Sequence, residues 1–226
     1  NCKTQMGKMK RLAIQPHSDD ILFSCSHILF DPDYEVQVLT VENDKRRIEE
    51  DKKLYEFLGI DFHHLNIDFK DESYYGFHKK YKTIDEQNTY EYLNEYFGKN
   101  VLNEIEESLS SWITNFLKNN KDFIVIAPWG IGHPFHFFIR DVIQKTVSYM
   151  EYYREFPHSY KRRSQLQVEK QKQQYSLLRS IDVKAFDDVK WKLASKFYRS
   201  QSGLLFFEQG YIKKQLSEEI YIRNID

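Results

Sequence analysis

"KDFIVIAPWGIGHPFHFF", residues 121 to 138, decides the fold. From Phe123 to Ala127 both parities of the run are apolar, as in a parallel strand covered on both faces. Proline and glycines then break the run, and His133-Pro134 opens a helix, because Pro suits a first helical turn. The same strand-then-helix unit recurs upstream. Leu12-Ala-Ile14 and Glu35 to Val41 read as strands, and Ile21, Leu22, Cys25, Ile28 and Leu29 between them keep a helical spacing. A second helix is predicted from Lys45 to Leu58, stopped by Gly59, with a weaker strand near Phe62 to Ile67. Over 102–117, Leu102, Ile105, Leu109, Trp112, Ile113, Phe116 and Leu117 share one helical face. Such alternation predicts a doubly wound α/β fold with a mostly parallel sheet, whose ligands gather beyond the carboxyl ends of the strands. Residues 69 to 90 are polar, Tyr-rich and without period, and read as a long lid or binding loop.

The bulk numbers narrow the class. A chain of 226 residues with 41% hydrophobic content suits one domain, residues 1–226. Lys+Arg 33 against Asp+Glu 34 leaves a net charge of −1, so no positive field exists to hold nucleic acid. The basic stretch around Lys161-Arg-Arg163, Lys170 and Lys172 is interrupted by Gln and Glu and reads as a solvated helix face. The Tyr surplus suits surfaces that grip rings or sugars. Only Cys2 and Cys25 are present, and Cys25 falls on an apolar helix face as a small buried hydrophobe. No 18-residue apolar run or signal-type start is seen, so the expectation is a soluble cytoplasmic chain without a membrane span. Asn1 leaves the natural start open, and a homo-oligomer is also left open.

Two clusters fall at the predicted rim. Ser18-Asp19-Asp20 after the first strand has a structural explanation, since Ser and Asp cap helices and acids favour the positive helix start. Together with the second cluster it reads differently. His17 and Asp20 are three apart at a strand-to-helix turn; His133 and His136 are three apart at a helix start. Two histidines and a carboxylate, with a fourth position for water, make a catalytic zinc arrangement. If Asp20 binds metal, Asp19 is free to act as general base.

"PHSDD" at 16–20 and "GHPFH" at 132–136 resemble the signatures of the LmbE-like, or PIG-L, N-acetylglucosaminyl deacetylases, P-H-x-D-D and G-H-x-D-H on a Rossmann-like sheet. The resemblance runs over about residues 10–207: Arg47 and Glu50 ahead of Leu58-Gly59 are similar to the R-x-x-E helix, Tyr153-Arg-Glu-Phe-Pro157 to Y-E-D-L-P, and Tyr198-Arg-Ser-Gln201 with Leu205-Phe206 to the later Y-x-S-Q element. It implies a Rossmann-like three-layer fold with the metal at the C-terminal ends of the strands. His17, Asp20 and His136 would hold Zn2+ or another divalent ion, and Asp19 would be the general base. His133 would assist as an imidazolium, and the product would be acetate plus a free amine. The implied partner is a small-molecule N-acetylated sugar or sugar conjugate. Asp68 matches a position used near sugar hydroxyls, or caps the loop; Glu155 stands where the family has an acid behind the site, or forms a structural salt bridge. His78 reaches the rim or is a solvated loop histidine. The chain departs from the pattern at Ile21, Ile131 and Phe135, which replace a Glu, a Tyr and an Asp. Two alternatives follow: hydrolysis of another amide on the same site, or a degenerate, non-catalytic glycan- or nucleotide-binding module. His63-His64 on a strand face opposite sides and do not ligate together.

Overall fold

The expected strands and helices form a computed structural model that describes residues 7–69, 84–185, 187–201 and 215–224. In chain order the first half comprises β1 (Met9–Gln15), α1 (Asp20–Ser24), α2 (His27–Phe30), β2 (Tyr34–Thr40), α3 (Lys45–Leu58) and β3 (Asp61–His64). After these come α4 (Ile84–Gln87), α5 (Tyr90–Phe97), α6 (Lys99–Asn119), β4 (Ile124–Pro128), α7 (Pro134–Thr146) and β5 (Met150–Tyr153). The last part holds α8 (Gln165–Lys172), β6 (Tyr175–Asp182), α9 (Asp187–Phe197) and β7 (Ser217–Arg223).

The sheet order is β3-β2-β1-β4-β5-β7-β6. The pairs from β3 to β5 are all parallel, while β7 joins β5 and β6 antiparallel. The protein is therefore α/β with a mostly parallel sheet, and its first five strands take the doubly wound order. Strand alternation feeds two hydrophobic clusters. Leu12, Ile14, Val125 and Ala127 pack with α5, α6 and α7, whereas Ala13, Val38 and Ile126 pack with α1, α2, α3 and α9. Helices cover both faces. Along α6, Leu102, Ile105, Leu109 and Ile113 are buried, and Trp112, Phe116 and Leu117 pack half-buried beside them. Gly59 ends α3 at φ 67, the left-handed cap its sequence position implied. Among the described residues no helix is long and apolar enough to cross a membrane.

Three expectations change. The helix expected across Ile21 to Leu29 is two short ones, because Phe23 O accepts Lys190 Nζ (2.6 Å) and Gln215 Nε2 (3.1 Å). The His27 N–H that would close that turn instead donates to Glu218 Oε2 at 2.9 Å. The long loop expected over residues 69 to 90 ends sooner, since α4 lies within it and α5 begins at its last residue; residues 70–83 lie outside the described residues. The antiparallel pair of β7 and the edge strand β6, joined across α9, was announced by no apolar run: β6 is exposed along most of its length.

Candidate functional site

The chain leaves β1 through a tight turn that folds a carboxylate over a histidine. The His17 backbone N–H donates to Asp20 Oδ2 at 2.8 Å. The Ile21 N–H in the first turn of α1 donates to Gln15 Oε1 (3.1 Å), and Gln15 Nε2 donates to Thr40 Oγ1 and Asp51 Oδ2, both at 2.7 Å. Asp51 also accepts the Tyr198 hydroxyl at 2.5 Å, tying α3 and α9 to the strand ends. Burial pushes Asp51 up to about 7 despite these donors.

Asp19 occupies the N-cap of α1, but its side chain makes no capping hydrogen bond. Its φ of 93 lies in the left-handed region that non-glycine residues avoid. The capping explanation thus fails for Asp19: its carboxylate instead meets Arg47 Nη2 at 3.3 Å. Arg47 also donates to Ser18 O at 2.6 Å and pairs with Glu42 at 3.2 Å. Glu42 in turn accepts the Ser18 N–H.

Beyond β4, His133 is the N-cap of α7, with Pro134 in the first turn. Its Nδ1 accepts the Phe135 N–H at 3.2 Å. One turn later, the fully buried His136 points Nε2 at the first cluster. His17 Nδ1 and His136 Nε2 are 3.0 Å apart; Asp20 Oδ2 lies 3.6 Å from the former and 3.3 Å from the latter. The three imidazole rings of His17, His133 and His136 have centroids 4.8–5.1 Å apart. This buried trio could bind a metal ion. Behind His136, its Nδ1 faces Glu155 Oε1 at 3.7 Å, and both His136 Nδ1 and Glu155 Oε2 are buried with no hydrogen-bond partner among the described residues.

No protein-family model and no curated protein matches this chain. What the site can do must come from its geometry.

Charge in the cluster is unevenly held. Burial raises the Asp19 carboxyl well above the carboxylate range, opposed by Arg47 and reinforced by Asp20 and Glu42. Burial would raise Asp20 too, but attraction to His136 and His17 outweighs it and holds that carboxyl low. Glu42 is raised by burial against the pull of Arg47. Burial opposes the Arg47 charge, and the surrounding carboxylates, Asp19 and Glu42 first, more than restore it.

The structure brings His17, Asp19, Asp20, His133 and His136 together. Glu155 is close by but fully enclosed, accepting the backbone N–H groups of Gly130 (2.5 Å) and Ile131 (3.0 Å). Asp68 is exposed after β3 and accepts Asn43 Nδ2 at 3.2 Å. His78 lies outside the described residues. Ile21, Ile131 and Phe135 are all buried in the hydrophobic clusters; Phe135 packs against Phe69 and Phe97 and stands 5.5 Å from the His17 ring.

Two residues of the cluster escaped the sequence reasoning. Glu42 is a carboxylate two residues beyond β2, at the same rim as His17, and that position is the signal that could have found it. His158 follows the Tyr153–Pro157 segment and lies 5.0 Å from the His133 ring and 5.1 Å from the His136 ring. Burial and then the neighbouring imidazoles push it well below the ordinary histidine range. No periodic spacing marked it.

Proposed function

We propose that the chain is a zinc-dependent N-deacetylase, with His17, Asp20 and His136 as the metal ligands and an N-acetylated sugar or sugar conjugate as substrate. The observation that carries this is the spacing of three donor atoms, 3.0, 3.3 and 3.6 Å apart. Ligands about 2.0–2.2 Å from one tetrahedral ion stand roughly 3.3–3.5 Å from one another. The enclosed Glu155 beside His136 Nδ1 supports the same reading, because a ligating imidazole ordinarily gives its other N–H to a carboxylate.

His133 divides from the ligands by its tautomer. Its Nδ1 accepts a backbone N–H, which puts the proton of the neutral ring on Nε2; joining His17 and His136 on a metal through Nε2 would take the other tautomer and the loss of that cap. His133 serves as a hydrogen-bond donor to the amide oxygen, and protonating Nδ1 would break the cap of α7. The neutral donor is the form we propose for His133, where the resemblance implied an imidazolium. Asp19, lifted by burial and restrained by Arg47, takes the proton from the attacking water as general base. Bound at the three donors, zinc would polarise the acetamide carbonyl and acidify water. The departing nitrogen recovers its proton from the group that took it, Asp19.

The test is elemental analysis of protein supplied with zinc and freed of excess, beside His136→Ala, followed by acetate release from N-acetylglucosamine. Near one zinc per chain is expected, lost in the variant, with release abolished by chelator and restored by zinc. Wild-type protein that retains no metal overturns the proposal.

A further inference from the structure

Four imidazoles meet at this site, and the fourth differs from the others in exposure. His17, His133 and His136 are buried, whereas His158 keeps part of its surface open to solvent. It stands edge-on to His133 and His136, at interplanar angles of 68° and 71°. It therefore forms the outer part of the same wall. Its backbone is pressed against the His133 turn. Gly132 has φ 78, and a Cβ there would come within 2.8 Å of His158 O and 2.7 Å of Ser164 Oγ. Ser159 fixes the next residue, its N–H and hydroxyl both donating to Glu155 O at 3.0 and 2.6 Å. His158 is thus held by the same Glu155 segment that backs His136.

We propose that His158 contacts the amine side of the substrate, hydrogen-bonding a hydroxyl on the carbon next to the acylated nitrogen. This rests on the deacetylase reading. With the acetamide oxygen at His133, the small acetyl methyl belongs on the enclosed side and the rest of the substrate extends outward past His158. One ring-to-ring step matches the few bonds between an amide oxygen and a hydroxyl on the neighbouring carbon. A neutral imidazole offers one donor and one acceptor, as a hydroxyl does. A site built to bond a substrate hydroxyl rejects analogues that lack it far more strongly than an apolar pocket can.

The experiment compares zinc-loaded wild type, His158→Phe and His158→Gln. Metal content is measured first, then KM and kcat for acetate release from N-acetylglucosamine and from N-acetylcyclohexylamine, which has no hydroxyl. Calorimetric binding of N-acetylglucosamine is measured on the same proteins. Unchanged zinc is expected. The Phe variant should raise KM and Kd for the sugar at least about tenfold, leave the cyclohexyl amide within about twofold, and be partly rescued by Gln. Zinc lost in both variants would make His158 a ligand and overturn the proposal. Equal losses on both amides, or no loss on either, would overturn it as well. If the wild type releases no acetate, the deacetylase reading fails on its own. The binding arm then still decides: sugar affinity that falls only in the Phe variant upholds the contact, and affinity that is absent or unchanged removes it.

Discussion

At the scale of one residue, Asp19 shows stability set against function. Its backbone lies at φ 93, which costs an L-residue about 1 kcal/mol or more, and its carboxyl is buried beside two other acids. Glycine removes both costs, while Arg47 keeps Glu42 and Ser18 O as partners. Asp19→Gly is therefore expected to raise the thermal midpoint or leave it unchanged, retain zinc, and lower acetate release about 10²–10⁴-fold. Calorimetry and acetate assay on the same preparation check this; a variant that melts much lower would give Asp19 a structural role instead. The site's inner residues were legible because each pair, His17 with Asp20 and His133 with His136, sits at a three-residue spacing after an apolar run. Glu42 and His158 each enter alone, from β2 and from the turn after β5, so no local pattern carried them. Only folding brings them to the rim.

Among the elements, the break between α1 and α2 is the clearest case of distant residues overriding local pattern. The apolar spacing from Ile21 to Leu29 asks for one helix, but Lys190 from α9 and Glu218 from β7 take the carbonyl and the N–H of the missing bond. Glu218 also accepts Ser26 Oγ (2.7 Å), His27 Nδ1 (2.8 Å) and Lys190 Nζ (2.9 Å), and neither it nor Lys190 is exposed. Burial would raise Glu218, but Lys190 and His27 overcome it and hold the carboxyl at about 2, below its ordinary 4.5. Because the folded value is the lower one, the associated stability is complete above about pH 4.5 and is lost as pH falls toward 2. Urea titrations at pH 7, 4 and 3 should show that decline. Lys190→Met, which leaves Glu218 buried without its cation, should cost about 3–5 kcal/mol at pH 7. Equal stability of variant and wild type at pH 7 would refute the account. By contrast, α3 runs over the expected Lys45–Leu58 and stops at Gly59, and α6 follows its apolar period, since each packs one face on the sheet.

Across the whole molecule, the site depends on sheet order. β1 pairs with β2 on one side and β4 on the other, so the chain reverses direction across the sheet between the turns that carry His17 and His133. Strand–helix alternation made this adjacency readable, whereas the antiparallel β7–β6 addition was not, because β6 is exposed along most of its length and carries no apolar run. Donors that lie 119 residues apart in sequence meet at 3.0 Å only in the folded chain. A metal held there should bind the folded state almost alone, so its binding free energy adds to global stability. Zinc at about 100-fold above its Kd should stabilise by about 2.7 kcal/mol, or roughly 5–10 °C in the thermal midpoint of a chain this size. The gain should vanish with chelator and be absent in His136→Ala, and Asp19→Gly should keep it because Asp19 lies outside the proposed ligand set. An equal zinc shift in His136→Ala would mean that the ion binds elsewhere. No shift in the wild type would leave the close approach of His17, Asp20 and His136 as a hydrogen-bonded cluster.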